Sequence, residues 1–260
     1  MNIFIIGSGW LALPLAEHLN NRAHQITVTT TSTEKSERVN KLGFKALVYQ
    51  MGELFPDDML DADVVVFANT CKDVSAYRST VKNWPRTFKP QVIYTSTTSV
   101  YQDNGQDHDE ESPSINPEHP TYLIEQTLKP LKANIIRLSG LVGPGFMRQD
   151  LIVNSRHPGR FFRKSLAVRN PKNQVNLVHR DDAIGVIISV IDSQLNKQII
   201  NASADNHPTK GEYYSYMAKQ LDGTILDTTQ ETSTSGKTIN NLKSKTIYTY
   251  QHSDVWQMSF

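Results

Sequence analysis

"NIFIIGSGWLALPLAEHL", residues 2 to 19, decides the fold. Asn2–Gly7 is a short apolar run of strand type, and from Leu11 onward Leu11, Leu15, Leu19 and Ala12, Ala16 recur at helical spacing. Between the two lies Gly7-Ser8-Gly9-Trp10-Leu11-Ala12. A strand that turns sharply into a helix needs a glycine at Gly7. A glycine at Gly9 lets the backbone approach a pyrophosphate, and a small Ala12 lets helix and strand pack closely. The first helical N–H groups then face the anion. The expected contacts run from Gly7 through Ser8, Gly9, Trp10 and Leu11.

The pattern continues. Strand-like "QITVTT" (25–30), "KALVY" (45–49), "DVVVFA" (63–68), "QVIYTS" (91–96) and "NIIRLS" (134–139) alternate with helix-competent stretches, among them Glu34–Leu42 and Asp73–Phe88. Near-continuous apolar strands are those of a parallel sheet covered on both faces. Six strands with intervening helices predict a doubly wound α/β sheet of Rossmann type. After Gly140 the regularity drops: Met147–Pro158 is polar with one helical stretch, "RDDAIGVIISVID" (180–192) is an amphipathic helix, "QIINAS" (198–203) a short strand and "TKGEYYSYMAKQL" (209–221) another helix. "TTQETSTSGKT" (228–238) reads as a flexible polar loop. The expected organisation is a nucleotide-binding domain over 1–145 and a smaller substrate lobe over 146–260, partly interleaved with it.

Composition narrows the function classes. The chain has 260 residues, 38% hydrophobic and 20% charged, which supports a packed core. A net charge of +1 gives no argument for nucleic acid or a membrane surface. No apolar run approaches the roughly 18 residues of a membrane span. The opening residues lack a basic leader region, and the single cysteine, Cys71, excludes an internal disulfide framework. These features point to the cytoplasm.

The end of the second strand bears on the cofactor. Sites that prefer NAD carry an acid there for the ribose 2′-hydroxyl. Here Thr30, Thr31 and Ser32 are followed by Lys35 and Arg38, so hydroxyls and cations favour the 2′-phosphate of NADP over NAD. Asn69 and Thr95, at the ends of the fourth and fifth strands, are further expected cofactor neighbours.

"IYTSTTSVYQ" (93–102) ends the fifth strand in hydroxyls, and Tyr122 follows in "TYLIEQ" at the start of a helix. Strand-end hydroxyls and a tyrosine can polarise a carbonyl and protonate it. Taken with "DEESP", "NIIRLSGLVGPG", "HPGRF", "VNLVHRDDAIGVI" and "INASADNHPTKGEYY", the chain resembles the extended, atypical short-chain dehydrogenase/reductases, the NAD-dependent epimerase/dehydratase-like proteins. The resemblance implies that Thr97 stands for the catalytic Ser/Thr and Tyr122 for the catalytic Tyr. Gln126 stands where that family carries a lysine, so it offers a ribose hydroxyl a hydrogen bond but no charge. A neutral tyrosine remains a proton donor, whereas deprotonating an alcohol becomes hard.

Between Met147 and Lys164, Arg148, Arg156, Arg160, Arg163 and Lys164 face a single acid, Asp150. Arg148, His157 and Arg160 are the expected contacts to an anionic substrate, with Gly159 letting the backbone approach it. The resemblance adds nucleotide-linked sugars as the substrate class and a weaker likeness of Lys237–Asn241 to a segment that closes over substrate. His179-Arg180-Asp181-Asp182 reads as a helix start, with acids favouring the dipole. Histidine spacing gives no metal site. The sequence thus supports an NAD(P)-dependent oxidoreductase or epimerase-like enzyme on a small anionic substrate. Its alternative is a non-catalytic NADP-binding sensor or scaffold of the same fold.

Overall fold

A computed structural model describes residues 1–148, 151–162, 165–230 and 235–260, with backbone alone at 147–148 and 151–153. The first half lays down β1 (Asn2–Ile6), α1 (Ala12–Asn20), β2 (Gln25–Thr30), α2 (Thr33–Lys41), β3 (Lys45–Val48), α3 (Asp57–Leu60), β4 (Val64–Phe67), α4 (Val74–Asn83) and β5 (Gln91–Thr97). Then come β6 (Asp107–His108), α5 (Pro120–Leu128), β7 (Asn134–Leu138), β8 (Gly140–Val142), β9 (Phe146–Arg148), β10 (Leu151–Val153), β11 (Leu177–His179) and α6 (Arg180–Asp192). The chain closes with β12 (Ile199–Ala202), α7 (Lys210–Asp222), β13 (Thr238–Ile239) and α8 (Leu242–Lys245).

The main sheet runs β12-β7-β5-β4-β1-β2-β3, with every neighbouring pair parallel. It is the doubly wound, Rossmann-type architecture. Alternation along β1 explains the two layers: Ile3 and Ile5 join one core with α1 and α6, while Phe4 and Ile6 join the opposite core with Met59 and Tyr77. All four are buried, as a parallel strand between helical layers requires. The order in which strands are added reverses between β1 and β4, with β2 and β3 to one side and β4, β5, β7 and β12 to the other, which opens a crevice at their carboxyl ends.

Three expectations need correction. The sheet has seven strands, because the late strand β12 adds to β7 at the edge, in register from Ile199 beside Ile135 to Ala202 beside Leu138. The helix expected to reach Phe88 ends at Asn83. Pro85 forces Trp84 out of the helical region, to φ −67 and ψ 118. Among its described residues the stretch Met147–Pro158 holds no α-helix; Phe146–Arg148 and Leu151–Val153 pair antiparallel, in keeping with the strand preference of apolar, β-branched runs. A smaller core of Val142, Val175, Leu177, Tyr213, Met217, Val255 and Met258 sits beside the carboxyl end of the sheet.

Candidate functional site

The crevice between β1 and β4 is formed by one close approach. Gly7 has φ +133, and a Cβ there would lie 2.4 Å from the Ala68 carbonyl oxygen. Only glycine lets the first loop lie against the end of β4. Its N–H donates to Thr29 Oγ1 at 3.0 Å, which fixes the turn to β2. Gly9 is the converse case: a Cβ there would meet nothing within 4 Å, because the residue faces open space.

That space is a cavity of about 520 Å³. Of the expected cofactor neighbours, Gly7, Ser8, Gly9, Thr30, Thr31, Lys35 and Asn69 line it. Trp10, Leu11, Ser32, Arg38 and Thr95 do not. The Trp10 ring is buried under the guanidinium groups of Arg156 and Arg180, whose Cζ atoms stand 4.5 and 5.2 Å from its centroid. Ser32 caps α2, accepting the Lys35 N–H; Arg38 is exposed; Thr95 donates to the Phe67 carbonyl at 3.0 Å. Residue-type reasoning missed Tyr49, Met51, Ala68 and Asp73 on the cavity wall. The rule that ligands gather at strand carboxyl ends would have found the first three.

The cavity contains unmet polar groups. Ser8 Oγ and Asn69 Nδ2 are buried with no hydrogen-bond partner, although Asn69 Oδ1 accepts from Cys71 N–H and the Tyr77 hydroxyl; the Tyr49 hydroxyl is buried beside Thr80 and Gly52. Burial pushes the Tyr49 hydroxyl pKa up, so it is a donor rather than an anion. Unsatisfied donors at the start of a helix, facing a space that glycine leaves open, suit a phosphate-bearing ligand. The residues present fit a dinucleotide.

A second group gathers where β5 ends. Thr97 closes the strand, accepts the Ser99 N–H and donates to Ser99 Oγ, each at 3.1 Å. His119 caps α5 by accepting the Thr121 N–H at 3.2 Å, and Pro120 sits in the first helical position, where its missing N–H costs nothing. Tyr122 is half-buried and packs on the cluster of Val100, Tyr101 and Ile239, three residues beyond Thr97. Thr97 and Tyr122 therefore share one corner of the molecule, with Gln126 one turn along α5. Neither the Tyr122 hydroxyl nor the Gln126 amide has a hydrogen-bond partner among the described residues.

Of the expected substrate contacts, His157 and Arg160 sit at the two ends of one short turn, Pro158–Arg160. The Arg148 side chain lies outside the described residues, as do Asp150, Arg163 and Lys164. His157 accepts the Gly159 N–H at 3.1 Å and packs on Phe260, and burial followed by the Arg160 charge holds its pKa below the usual histidine range. Arg160 is exposed. Gly159 serves packing: a Cβ there would lie 2.7 Å from the Met217 carbonyl oxygen, so the glycine admits α7. His179, Asp181 and His252 bring ligand-type atoms within 4.8 Å of one another. However, His179 Nδ1 accepts the Asp181 N–H and Nε2 donates to the Ser259 carbonyl, so both nitrogens are spent on the protein. Asp182, wholly buried, accepts from Tyr248 hydroxyl, Gln251 N–H and His252 N–H and fastens the C-terminal segment to α6.

No family model matches the chain. It is 30% identical over 239 residues to Protein YeeZ of Escherichia coli K12, covering 84% of this chain and 83% of that one. Among solved structures, UDP-glucuronic acid 4-epimerase of Bacillus cereus, in complex with UDP-glucuronic acid and NAD, superposes with a TM-score of 0.74 at 16% identity, covering 95% and 92% of the two chains. TunA, an NAD-dependent NDP-hexosamine 5,6-dehydratase, gives 0.74 at 17% identity over 96% and 92%. Among the described residues no helix is long and apolar enough to cross a membrane. With 30% identity over five-sixths of both chains, the chain belongs to the family of Protein YeeZ, and its seven-stranded parallel sheet has the fold of these epimerase and dehydratase structures.

Proposed function

We propose that the chain is an NADP-dependent oxidoreductase or epimerase-like enzyme acting on a small anionic carbonyl compound of the sugar or nucleotide-sugar class. One observation carries this reading: the cavity with its unmet donors and the Thr97–Tyr122 corner both lie at the carboxyl ends of the same sheet. Gly7, Ser8 and Gly9 would hold the diphosphate and Asn69 the nicotinamide side, while Lys35, on the cavity wall beside Thr30 and Thr31, would meet the 2′-phosphate. A reduced nicotinamide supplies hydride when bound. Thr97 orients the substrate oxygen, and Tyr122 gives it a proton. The described part of residues 146–260 would supply walls that exclude water. The UDP-glucuronic acid complex of the Bacillus cereus epimerase, and TunA being an NDP-hexosamine dehydratase, support the substrate class.

A second reading, a dinucleotide-binding sensor without turnover, is favoured by Gln126, which brings no cation to Tyr122. Calorimetric titration with NADPH, followed by a screen of carbonyl and nucleotide-sugar substrates at the nicotinamide absorbance, separates the two. Binding with turnover supports the enzyme. Tight binding without turnover of any substrate supports the sensor, and failure to bind NADPH or NADH sinks both.

A further inference from the structure

A second cavity, of about 270 Å³, opens beside the Thr97–Tyr122 corner and is walled by Thr98, Ser99, Asn176, Lys210 and Lys237, with Asp103 at its edge. We propose that it binds a hydroxylated carboxylate the size of one sugar ring, with Lys210 and Lys237 taking the carboxylate. The inference rests on the function proposed above and names the part of the substrate that sits next to Thr97.

Lys237 is placed with care. Gly236 has φ +69, and a Cβ there would lie 2.7 Å from Gln174 Oε1 and 3.1 Å from Asn173 Cβ, so the glycine lets this segment press onto residues 173 and 174. The Lys237 side chain is 12% exposed; its ammonium donates to the Tyr101 carbonyl at 2.5 Å and pairs with Asp103 at 3.1 Å. An ammonium has three donors, so one remains. Tyr101, whose carbonyl holds the ammonium, belongs to the cluster on which Tyr122 packs, so the Lys237 charge lies on the side of α5 that carries Tyr122.

The rest of the wall suits a hydroxylated ligand. The Asn176 amide donates to the Lys237 carbonyl at 3.0 Å, while Asn176 Oδ1 is buried without a partner and calls for a donor such as a ligand hydroxyl. Ser99 Oγ accepts from Thr97, which leaves its own proton to donate. Among the described residues the Lys210 ammonium has no ion pair or hydrogen bond. Two cations against the single carboxylate of Asp103 suit a monoanion. Lys237 and Asp103 already compensate each other, so Lys210 is left as the unmatched charge among the described lining residues, and one carboxylate charge balances it. The volume of about 270 Å³ admits one sugar ring.

The test is calorimetry on the full chain, with and without NADPH, using D-glucuronate, D-glucose and inorganic phosphate as probes. Glucuronate should bind at least tenfold more tightly than glucose or phosphate. Lys210→Met and Lys237→Met should each remove at least tenfold of that affinity, Lys237→Arg should lose less, and NADPH affinity should stay unchanged in all three. Equal binding of glucuronate and glucose, tighter binding of phosphate, no glucuronate binding, or indifference to both lysine substitutions would overturn the proposal. Should Lys237→Met fail to fold because Tyr101 loses its tie, Lys210→Met still decides. Loss of NADPH binding in the unmutated chain would instead strike the function proposed above, and the glucuronate comparison is read without cofactor.

Discussion

Glu125 and Arg137 form an ion pair of 2.7 Å between Arg Nη2 and Glu Oε2, with side chains 2% and 1% exposed. Arg137 adds a second bond from Nε to Oε1 at 3.1 Å, so the contact is bidentate. Ser96 of β5 donates to the same carboxylate at 2.5 Å, and Arg137 reaches the Tyr101 hydroxyl at 2.8 Å, which donates to Asn201 Oδ1. Burial pushes the Arg137 pKa down, but Glu125 and Tyr101 outweigh it and hold the group above its ordinary range. The network ties α5, which carries Tyr122, to the strand that carries Thr97. Removing one partner would strand a buried charge, so Glu125→Ala should cost about 3–5 kcal/mol of unfolding free energy. Urea unfolding measures it. A loss below about 1 kcal/mol would mean that water reaches Arg137 once the carboxylate is gone.

The two glycines of the first turn should separate stability from binding. Gly7→Ala combines a strained φ with a clash against the β4 backbone, and should destabilise the fold by about 2–4 kcal/mol. Gly9→Ala places its methyl in open space, so the fold should keep its urea midpoint while NADPH binds at least tenfold more weakly. If Gly9→Ala bound NADPH as the parent does, the diphosphate would lie elsewhere.

Lys35 and Arg38 are equivalent in the sequence but not in space. Lys35 lines the cavity and Arg38 is exposed beyond it. The unmutated chain should prefer NADPH to NADH. Since a charge-assisted phosphate contact contributes about 1.5–3 kcal/mol, Lys35→Glu should cost at least tenfold in NADPH affinity, and Arg38→Glu much less. Parallel titrations with both cofactors test this, and equal affinities in the unmutated chain would remove the 2′-phosphate from the site.

The glycine turn was legible because its geometry is local: strand, glycines and helix are contiguous. The buried ion pair was not. Glu125 and Arg137 stand on a helix and a strand with no local pattern that pairs them; only the crossing of α5 over β5 and β7 joins them. The strand at Ile199–Ala202 was legible as a strand, but its place at the sheet edge depends on β7, some sixty residues earlier. Gly159 shows the opposite error. A glycine beside cations suggested a ligand, yet the backbone it admits is that of α7.

His179 should make stability depend on pH. Its ring is 1% exposed, and burial followed by the neighbouring His252 lowers its pKa, with Asp181 and Asp182 opposing. A lowered histidine pKa means that the unfolded chain binds the proton more readily. The stabilisation is therefore present above the unfolded value of about 6.5 and is lost as pH falls from there through the folded value. His179→Asn keeps a side chain able to cap α6 and should flatten this part of the profile. Urea midpoints measured between pH 8 and pH 5 for both proteins check it; parallel slopes would assign the acid sensitivity to His24, His119, His157 or His207, whose pKa values are also lowered.

Tyr122 is the residue on which the enzyme reading turns. It packs on Val100, Tyr101 and Ile239 by its ring, so phenylalanine preserves the packing and removes only the hydroxyl. Tyr122→Phe should keep the urea midpoint and NADPH affinity while lowering turnover by about 10²–10⁴, the range of a lost general acid. Gln126→Lys, one turn along α5, would place a cation beside that hydroxyl and favour its taking a proton from an alcohol. Oxidation should then gain more than reduction. Rates in both directions with one working substrate, for the parent and the two variants, decide the matter. If Tyr122→Phe turned over as fast as the parent, the hydroxyl would have no part in proton transfer. The chemistry would then have to be sought at Thr97 and the Lys210–Lys237 cavity.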